Sequence, residues 1–314
     1  MWVNDMSTKE TILRLLEAAG GKFISGSDIA RSAGVSRNAV WKNAAALREA
    51  GFDIEAGDGG YRMAGDKLCP ELIKYYAKND FGITFFTETG STNREAARLA
   101  SSVTLPHMVA AAAQSGGRGR HGKSFFSEGG IYFSMILDAA AVKIPPLLLT
   151  TAAACATLRA IEAEYDAEPK IKWINDIYLG EKKVCGILTE AQSDLETGTF
   201  SHYIVGIGIN AGGDNFPPEV EDIACSLDPA SVRKNRLCAA TADNLLAFIK
   251  AEPSDIVRLA SEKSCVLGRK IRFFGGKEGT GKAVALGESG ELIVETAEGR
   301  VTLSGGEISV RFTK

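Results

Sequence analysis

The stretch Gln114-Ser115-Gly116-Gly117-Arg118-Gly119-Arg120-His121-Gly122-Lys123 interleaves four glycines with basic side chains between two apolar segments. Glycine brings backbone N–H groups close to a ligand, and arginine offers a planar, multi-donor cation suited to phosphate or carboxylate. Taken alone, the loop reads equally as an anion holder or as an exposed arginine-glycine contact for nucleic acid. Three further clusters carry chemistry. Gly90-Ser91-Thr92-Asn93 lies where a strand gives way to a helix, so its hydroxyls and amide either cap that helix or point into a pocket. In Lys170-Ile171-Lys172-Trp173-Ile174-Asn175-Asp176-Ile177 the two lysines share one face of a strand. One of them can project into a site to hold an anion, or both can be solvated on an edge strand. Gly206-Ile207-Gly208-Ile209-Asn210 closes another strand, where glycine admits a flat ligand and asparagine can pair with a heterocycle edge. Neither a G-x-G-x-x-G turn opening a helix nor a G-x-x-x-x-G-K-[ST] loop is present, so a nucleotide needs other means of binding.

These groups must be positioned by an α/β region. From about Leu68 to Val266, β-rich runs (83–86, 108–113, 131–137, 171–173, 184–189 and 203–209) alternate with helical segments at 93–100, 147–165, 240–250 and 254–264. Ahead of it, Ser7-Thr8-Lys9-Glu10 is a capping box that opens a first helix. Ser25 begins a second helix, which Gly34 stops, and Ser36 caps a third that runs to about Ala50. In the third helix Val40, Trp41, Ala44 and Leu47 are expected to face inward, and Arg37, Asn38, Lys42 and Asn43 outward. Residues 52–55 and 61–63 then alternate around Gly57-Asp58-Gly59-Gly60 as a hairpin. Three helices and a glycine-turned hairpin make a winged helix-turn-helix, whose third helix enters a major groove. Ser36, Arg37, Asn38 and Lys42 are its DNA-contacting candidates; a helical packing module with no DNA partner is the alternative. The closely spaced turns of residues 268–311 suggest a small β-barrel. The division expected is 1–66, 67–266 and 267–314.

Composition bounds the rest. A formal charge of -3 over 314 residues argues against wholesale polyanion binding, so a nucleic-acid contact must be local. Between Arg31 and Arg48 there are four basic residues and no acidic one. The six cysteines are scattered, without C-x-x-C or nearby histidine, and read as thiols of a reducing cytoplasm. The apolar span 144–161 is broken by Pro145, Pro146 and Arg159 and is too short to cross a bilayer, and the N-terminus lacks a signal pattern. Met6 directly precedes the capping box and stands beside Met1 as a candidate start.

Ser91-Thr92-Asn93, Gln114 with Gly117-Arg118-Gly119-Arg120-His121-Gly122, Lys172-Trp173-Ile174-Asn175-Asp176, Gly186-Ile187-Leu188-Thr189-Glu190 and Gly206-Ile207-Gly208-Ile209-Asn210 resemble, in order and spacing, the biotin protein ligases. The N-terminal winged helix and the segment ending Gly306-Glu307-Ile308-Ser309-Val310-Arg311 extend the resemblance to the bifunctional bacterial form, both ligase and biotin operon repressor. The resemblance implies a mixed α/β, α+β fold: winged helix-turn-helix, a biotinyl/lipoyl-ligase-like, class II synthetase-like α/β domain, and an SH3-like β-barrel. It implies that biotin and Mg-ATP give biotinyl-5'-AMP and pyrophosphate, after which a lysine of a biotin carboxyl carrier protein attacks the mixed anhydride.

By the same resemblance, Ser91, Thr92, Asn93, Gln114, Arg118, Gly119, Arg120 and Lys172 hold biotin. Arg118, Arg120, His121 and Asn210 meet the adenylate, and Lys172, Arg118 and Arg120 act on the reacting phosphate. The Mg²⁺ ligands are not assigned, and Asp176 is open between positioning the metal and positioning the incoming lysine. Biotinyl-AMP would serve as corepressor, and operator DNA would be bound by a ligand-induced homodimer in the cytoplasm. Two departures stand out. Ile174 replaces the family's usual proline, which frees φ and is expected to loosen the turn, and Lys123 stands where arginine often follows the loop. A lipoate-type ligase and a ligand-sensing repressor without turnover are the competing readings.

Overall fold

The computed structural model describes residues 7–122, 125, 129–193, 198–213, 216–228, 233–275, 278–304 and 309–312. By contact the chain divides into two compact units, Met1–Tyr76 with Arg233–Arg236, and Ala77–Val232 with Leu237–Lys314.

The first unit opens with α1 (Thr8–Ala18), whose capping box is formed: the Ser7 hydroxyl accepts from Glu10 N and the Glu10 carboxylate accepts from Ser7 N. Next come α2 (Gly26–Ala33) and α3 (Arg37–Glu49). Gly34 ends α2 in the left-handed region at φ 64°, where a side chain would be strained. The hairpin β1 (Ile54–Gly57) and β2 (Gly60–Met63) turns at Asp58-Gly59, with Gly57 paired to Gly60. A short α4 (Pro70–Tyr76), not anticipated from the sequence, completes the segment. Ile12, Leu16, Ile29, Val40, Leu47, Ile54, Met63 and Leu72 form the core.

In α3 the buried stripe is Val40, Ala44 and Leu47, at i, i+4 and i+7. Trp41 does not join it. The expectation that Trp41 faces inward is corrected here: one residue on from Val40, it is turned about 100° away and is 57% exposed. Asn43, expected to face out, is half-buried, and its amide donates to Ala39 O at 2.9 Å.

The second unit contains β3 (Gly82–Thr89), α5 (Thr92–Leu99), β4 (His107–Gln114), β5 (Ile131–Asp138), α6 (Leu149–Glu164), β6 (Lys170–Lys172), β7 (Asp176–Leu179), β8 (Lys182–Ser193) and β9 (Phe200–Ile209). α7 (Lys234–Phe248), whose residues up to Arg236 belong to the first unit, and α8 (Pro253–Glu262) follow. The strands make one sheet in the order β3-β4-β5-β9-β8-β7-β6. β3 and β4 run parallel through the α5 crossover, and the remaining pairs are antiparallel. β5 is buried from Ile131 to Leu137. α6 is buried along most of its surface, which explains its predominantly apolar and small residues, with Arg159 exposed; no helix among the described residues is long and apolar enough to cross a membrane.

Two elements differ from expectation. β7 was not anticipated, because a four-residue strand beginning at an aspartate carries little β pattern. α7 starts at Lys234, six residues before the apolar periodicity begins. Asn235 in its first turn is fully buried and bonds to Cys69 N, Lys67 O and Asp66, contacts to residues far back in the sequence.

C-terminal to these helices, β10 (Lys270–Phe274), β11 (Gly279–Leu286), β12 (Leu292–Thr296), β13 (Gly299–Leu303) and β14 (Ser309–Phe312) form an antiparallel sheet in the order β13-β12-β11-β10-β14. Its apolar side, with Ile271, Phe273, Ala283, Leu292, Val294 and Leu303, packs on Val266, Trp173 and Ile174.

Candidate active site

β3, β4, β6 and β9 all deliver polar groups just at or beyond their C-terminal ends, around one cavity of about 690 Å³. Ser91, Thr92, Asn93, Gln114, Arg118, Gly119, Arg120, Lys172 and Asn210 all line it. The His121 side chain and Lys123 lie outside the described residues.

Ser91 is the N-cap residue of α5 but makes no capping bond with its side chain. The cap comes from elsewhere: Gln114 Oε1 accepts from Thr92 N at 2.8 Å and from Thr92 Oγ1 at 3.2 Å. The buried Ser91 hydroxyl is thereby left to the cavity. Thr92 and Asn93 are engaged with the protein itself. Ser134 Oγ lies 2.8 Å from Thr92 Oγ1 and 2.6 Å from Asn93 Oδ1, while Asn93 Nδ2 donates to Leu188 O and to Glu190 Oε2. Asn93 thus stitches α5 to β5 and β8.

The two strand glycines serve this packing more than a ligand. A Cβ on Gly206 would lie 1.9 Å from Asn93 Oδ1, so the missing side chain is the seat of the asparagine amide. A Cβ on Gly208 would lie 2.7 Å from the Phe125 ring, and one on the facing Gly186 would lie 2.9 Å from it. Phe125 follows the arginine-glycine loop and rests edge-on to Tyr132, with its N–H bonded to Gly117 O. The base of the loop is held by Ser115 N to Thr89 O and Gly116 N to Gly90 O, which continue the β3–β4 pairing.

The two arginines are held differently. Arg118 is exposed at the rim, whereas Arg120 is half-buried and donates to Asn175 Oδ1 at 3.3 Å. Burial lowers the Arg120 pKa, and the Asp176 charge opposes that. Asn175 is itself fixed by its amide to Ile187 O and by its own carbonyl to Ile187 N. Asn210 donates to Cys225 O at 3.0 Å and more weakly to Lys183 O, tying the segment after Phe216 to β8.

β6 is an edge strand, but its lysines are half-buried and not solvated, and Lys172 lines the cavity with its Nζ 2.9 Å from Tyr178 OH and over its ring. Burial and the Asp176 charge push the Tyr178 phenol up to about 12, so it stays protonated at neutral pH. The loosening expected at Ile174 is offset by burial. The Trp173–Ile174 peptide is cis, both side chains sit in the core of the C-terminal sheet, and Trp173 Nε1 donates to Gly290 O at 2.9 Å.

Sequence reasoning missed Lys183. It lines the cavity, and its Nζ lies 2.7 Å from Asp176 Oδ1. Burial pulls the Lys183 ammonium down, but Asp176, with smaller help from Cys185 and Tyr178, more than offsets this and leaves it above its ordinary value. The β7–β8 pairing puts Asp176 opposite Gly186 and, past a bulge between Ile177 and Tyr178, Lys183 opposite Tyr178; neither β7 nor the bulge shows in the alternation of the sequence, so the pairing was invisible there. Asn175, Tyr178, Phe125 and Phe216 were likewise not assigned to the site.

In the first unit, Arg37, Asn38 and Lys42 are exposed, and the Ser36 hydroxyl caps α3 by accepting from Ala39 N at 3.1 Å.

Comparisons with known proteins agree with this layout. Residues 8–62 match an HTH domain, residues 85–210 the biotin/lipoate A/B protein ligase family, and residues 266–311 the biotin protein ligase C terminal domain. The chain is 34% identical to the bifunctional ligase/repressor BirA of Bacillus spizizenii, over 93% of this chain and 95% of the relative. It is 27% identical to the Escherichia coli K12 protein of the same name, over 93% and 94%. A solved biotin protein ligase from Aquifex aeolicus, in complex with biotin and ATP, superposes with a TM-score of 0.64 at 29% identity, covering 74% of this chain and 99% of that one. With a helix-turn-helix unit and a ligase unit on one chain, and a relative of this identity matched along nearly its full length, the chain belongs to the bifunctional ligase/repressor family of biotin protein ligases.

Proposed function

We propose that the chain is an ATP-dependent biotin protein ligase that also represses transcription in response to biotin. The observation that carries the ligase half is the gathering of Arg118, Arg120, Lys172 and Lys183 around one cavity that also holds the Ser91 hydroxyl and Gln114. Adenylation puts extra negative charge on the α-phosphate in flight, and cations already in place stabilise it without reorganisation. Biotin binds against Ser91, Gln114 and the Thr92–Asn93–Ser134 network, with its carboxylate toward Lys172 and Lys183. That carboxylate attacks the α-phosphorus of ATP and pyrophosphate leaves, with Arg118, Arg120 and the lysines facing the charge. The adenine lies against Asn210 and Phe216. A carrier-protein lysine then attacks the acyl carbonyl and AMP departs, so no nucleophile from the enzyme is needed. Asp176 fixes Lys183 and tunes Arg120.

Mg²⁺ fits the site as a companion of the nucleotide. Asp176 is the one carboxylate among the described lining residues and is committed to Lys183, while no cluster of three acidic, histidine or cysteine side chains is found among the described residues. An ion held mainly by phosphate oxygens matches that donor set. When bound it supplies further positive charge to the phosphates.

The functional division proposed is DNA binding in 1–66, catalysis in 67–266 and an accessory C-terminal domain in 267–314. Biotinyl-AMP acts as corepressor by promoting a homodimer on a palindromic operator, bound through the start of α3 at Ser36, Arg37, Asn38 and Lys42. The test supplies purified chain with biotin, ATP and an apo carrier domain. Pyrophosphate release and carrier biotinylation are expected, both falling at least 100-fold in Lys183→Ala and Lys172→Ala, on the order of what one such electrostatic group contributes. Binding of biotin without pyrophosphate release would leave a sensing repressor instead, and preference for lipoate in competition calorimetry would leave a lipoate-type ligase.

A further inference from the structure

The α3 surface carries an unexplained side chain. Trp41 leaves 57% of its surface to water, more than any other tryptophan, tyrosine or phenylalanine among the described residues. Its indole makes no hydrogen bond or ring contact among the described residues, and the side chains of Arg37, Asn38 and Lys42 make no hydrogen bond or ion pair there. Helical spacing places these four together: Trp41 is four residues from Arg37 and three from Asn38, and Lys42 is four from Asn38. Ser36 and Asn43, by contrast, spend their side chains on the backbone of the helix itself. The outward face in the first half of α3 is therefore two cations, one amide and one indole.

Holding an indole in water with no partner forfeits the burial that a tryptophan usually provides. The flanking Arg37 and Lys42 restrict what can cover it, because an apolar partner would have to strand both charges. A polyanion would not. Duplex DNA in the major groove offers phosphates to the cations and, at each thymine, an apolar methyl at the groove floor. The first half of a recognition helix is the part that reaches base edges.

Building on the repressor reading, we infer that Trp41 is a sequence-reading residue that packs its indole against thymine C5-methyl groups in the major groove, while Arg37 and Lys42 hold phosphates. Asn38, one turn away, has the amide geometry to pair with adenine N6 and N7. The preference conferred is for A·T pairs under the centre of α3's outer face.

The experiment uses the full chain, with and without biotin and ATP, and a duplex selected by that chain from a random 40-base-pair library. Each thymine of the selected duplex is replaced in turn by deoxyuridine, which removes only the methyl. For wild type at least one replacement is expected to weaken binding about fourfold, the worth of one buried methyl. In Trp41→Ala that same replacement should change binding by less than about 1.5-fold, and Trp41→Phe should keep most of the discrimination. Circular dichroism of both variants checks that the helices are intact, as expected for an exposed position. Equal deoxyuridine losses in wild type and Trp41→Ala, or no sensitive thymine in the site, would overturn the assignment while leaving the repressor reading standing. Recovery of no preferred sequence would overturn the repressor reading and this inference together.

Discussion

Gly206→Ala offers a severe test of how the pocket wall is built. The added Cβ would lie 1.9 Å from Asn93 Oδ1, 2.8 Å from its Cγ and 3.1 Å from its Nδ2, well inside van der Waals contact. The backbone of Gly206 cannot retreat, because it is paired on both sides, with Ser134 in β5 and Leu188 in β8. Asn93 must therefore swing out. That breaks its bonds from Ser134 Oγ at 2.6 Å, to Leu188 O at 3.2 Å and to Glu190 Oε2 at 2.7 Å. At about 1 kcal/mol for each of these hydrogen bonds, the expected loss is about 3 kcal/mol. Urea unfolding of wild type, Gly206→Ala, Asn93→Ala and the double variant closes a thermodynamic cycle. In the Asn93→Ala background the methyl enters vacated space and should cost almost nothing, giving a coupling of about 2 to 3 kcal/mol. A coupling below about 0.5 kcal/mol, or a Gly206→Ala chain as stable as wild type, would refute the claim that this glycine seats the asparagine. Biotin affinity should fall in parallel, since the same Ser134 hydroxyl holds Thr92.

Two further outcomes concern charge. Asp176→Asn leaves Lys183 with burial and without its carboxylate, so its pKa should drop below the ordinary lysine value and the alkaline limb of pyrophosphate release should move to lower pH. Because the wild-type pKa is raised, the stability the pair contributes is fully present below the ordinary lysine pKa of about 10.4 and is lost as pH rises through the elevated one. Unfolding midpoints of the two proteins should converge above that point, and superimposable alkaline limbs would contradict the pairing. In the first unit Glu17 is raised, first by burial and next by the charge of Asp66, against Arg233, Tyr76 and Arg236. A raised carboxyl favours the fold below its unfolded pKa of about 4.3, and that advantage is lost as pH rises through the raised value. Glu17→Gln should therefore stabilise the helix-turn-helix unit at neutral pH and reduce the decline of its melting temperature between acid and neutral pH; an unchanged decline would show that Glu17 is not the group responsible.

Much of this was legible in the residues because the interactions responsible are local. Ser7, Ser25 and Ser36 cap their helices within three residues of their own positions, and Gly34 needs only its own φ to end one. Ser91, Gln114, Arg118, Arg120, Lys172 and Asn210 were recognisable from type and spacing, and strand ends carried them to one cavity. What escaped was whatever depended on a distant partner. The opening of α7 has polar residues whose reason for order is Asn235 bonding to Lys67 and Cys69. Lys183 gains its place from Asp176 across a strand pair that no local pattern announced.

The sequence by itself therefore determined the order of the domains, the helix boundaries set by caps and which polar and cationic side chains were candidates for a site, because each follows from side-chain type and near neighbours. Only the tertiary structure decided how those groups divide their work. Gln114 relieves Ser91 of capping, Gly206 yields its space to Asn93, Asp176 is spent on Lys183, and Trp41 faces water when a count of apolar residues would bury it. A hydrogen bond or a void is set by which surfaces the fold brings together, and residues far apart in the chain carry no record of that distance until it has folded.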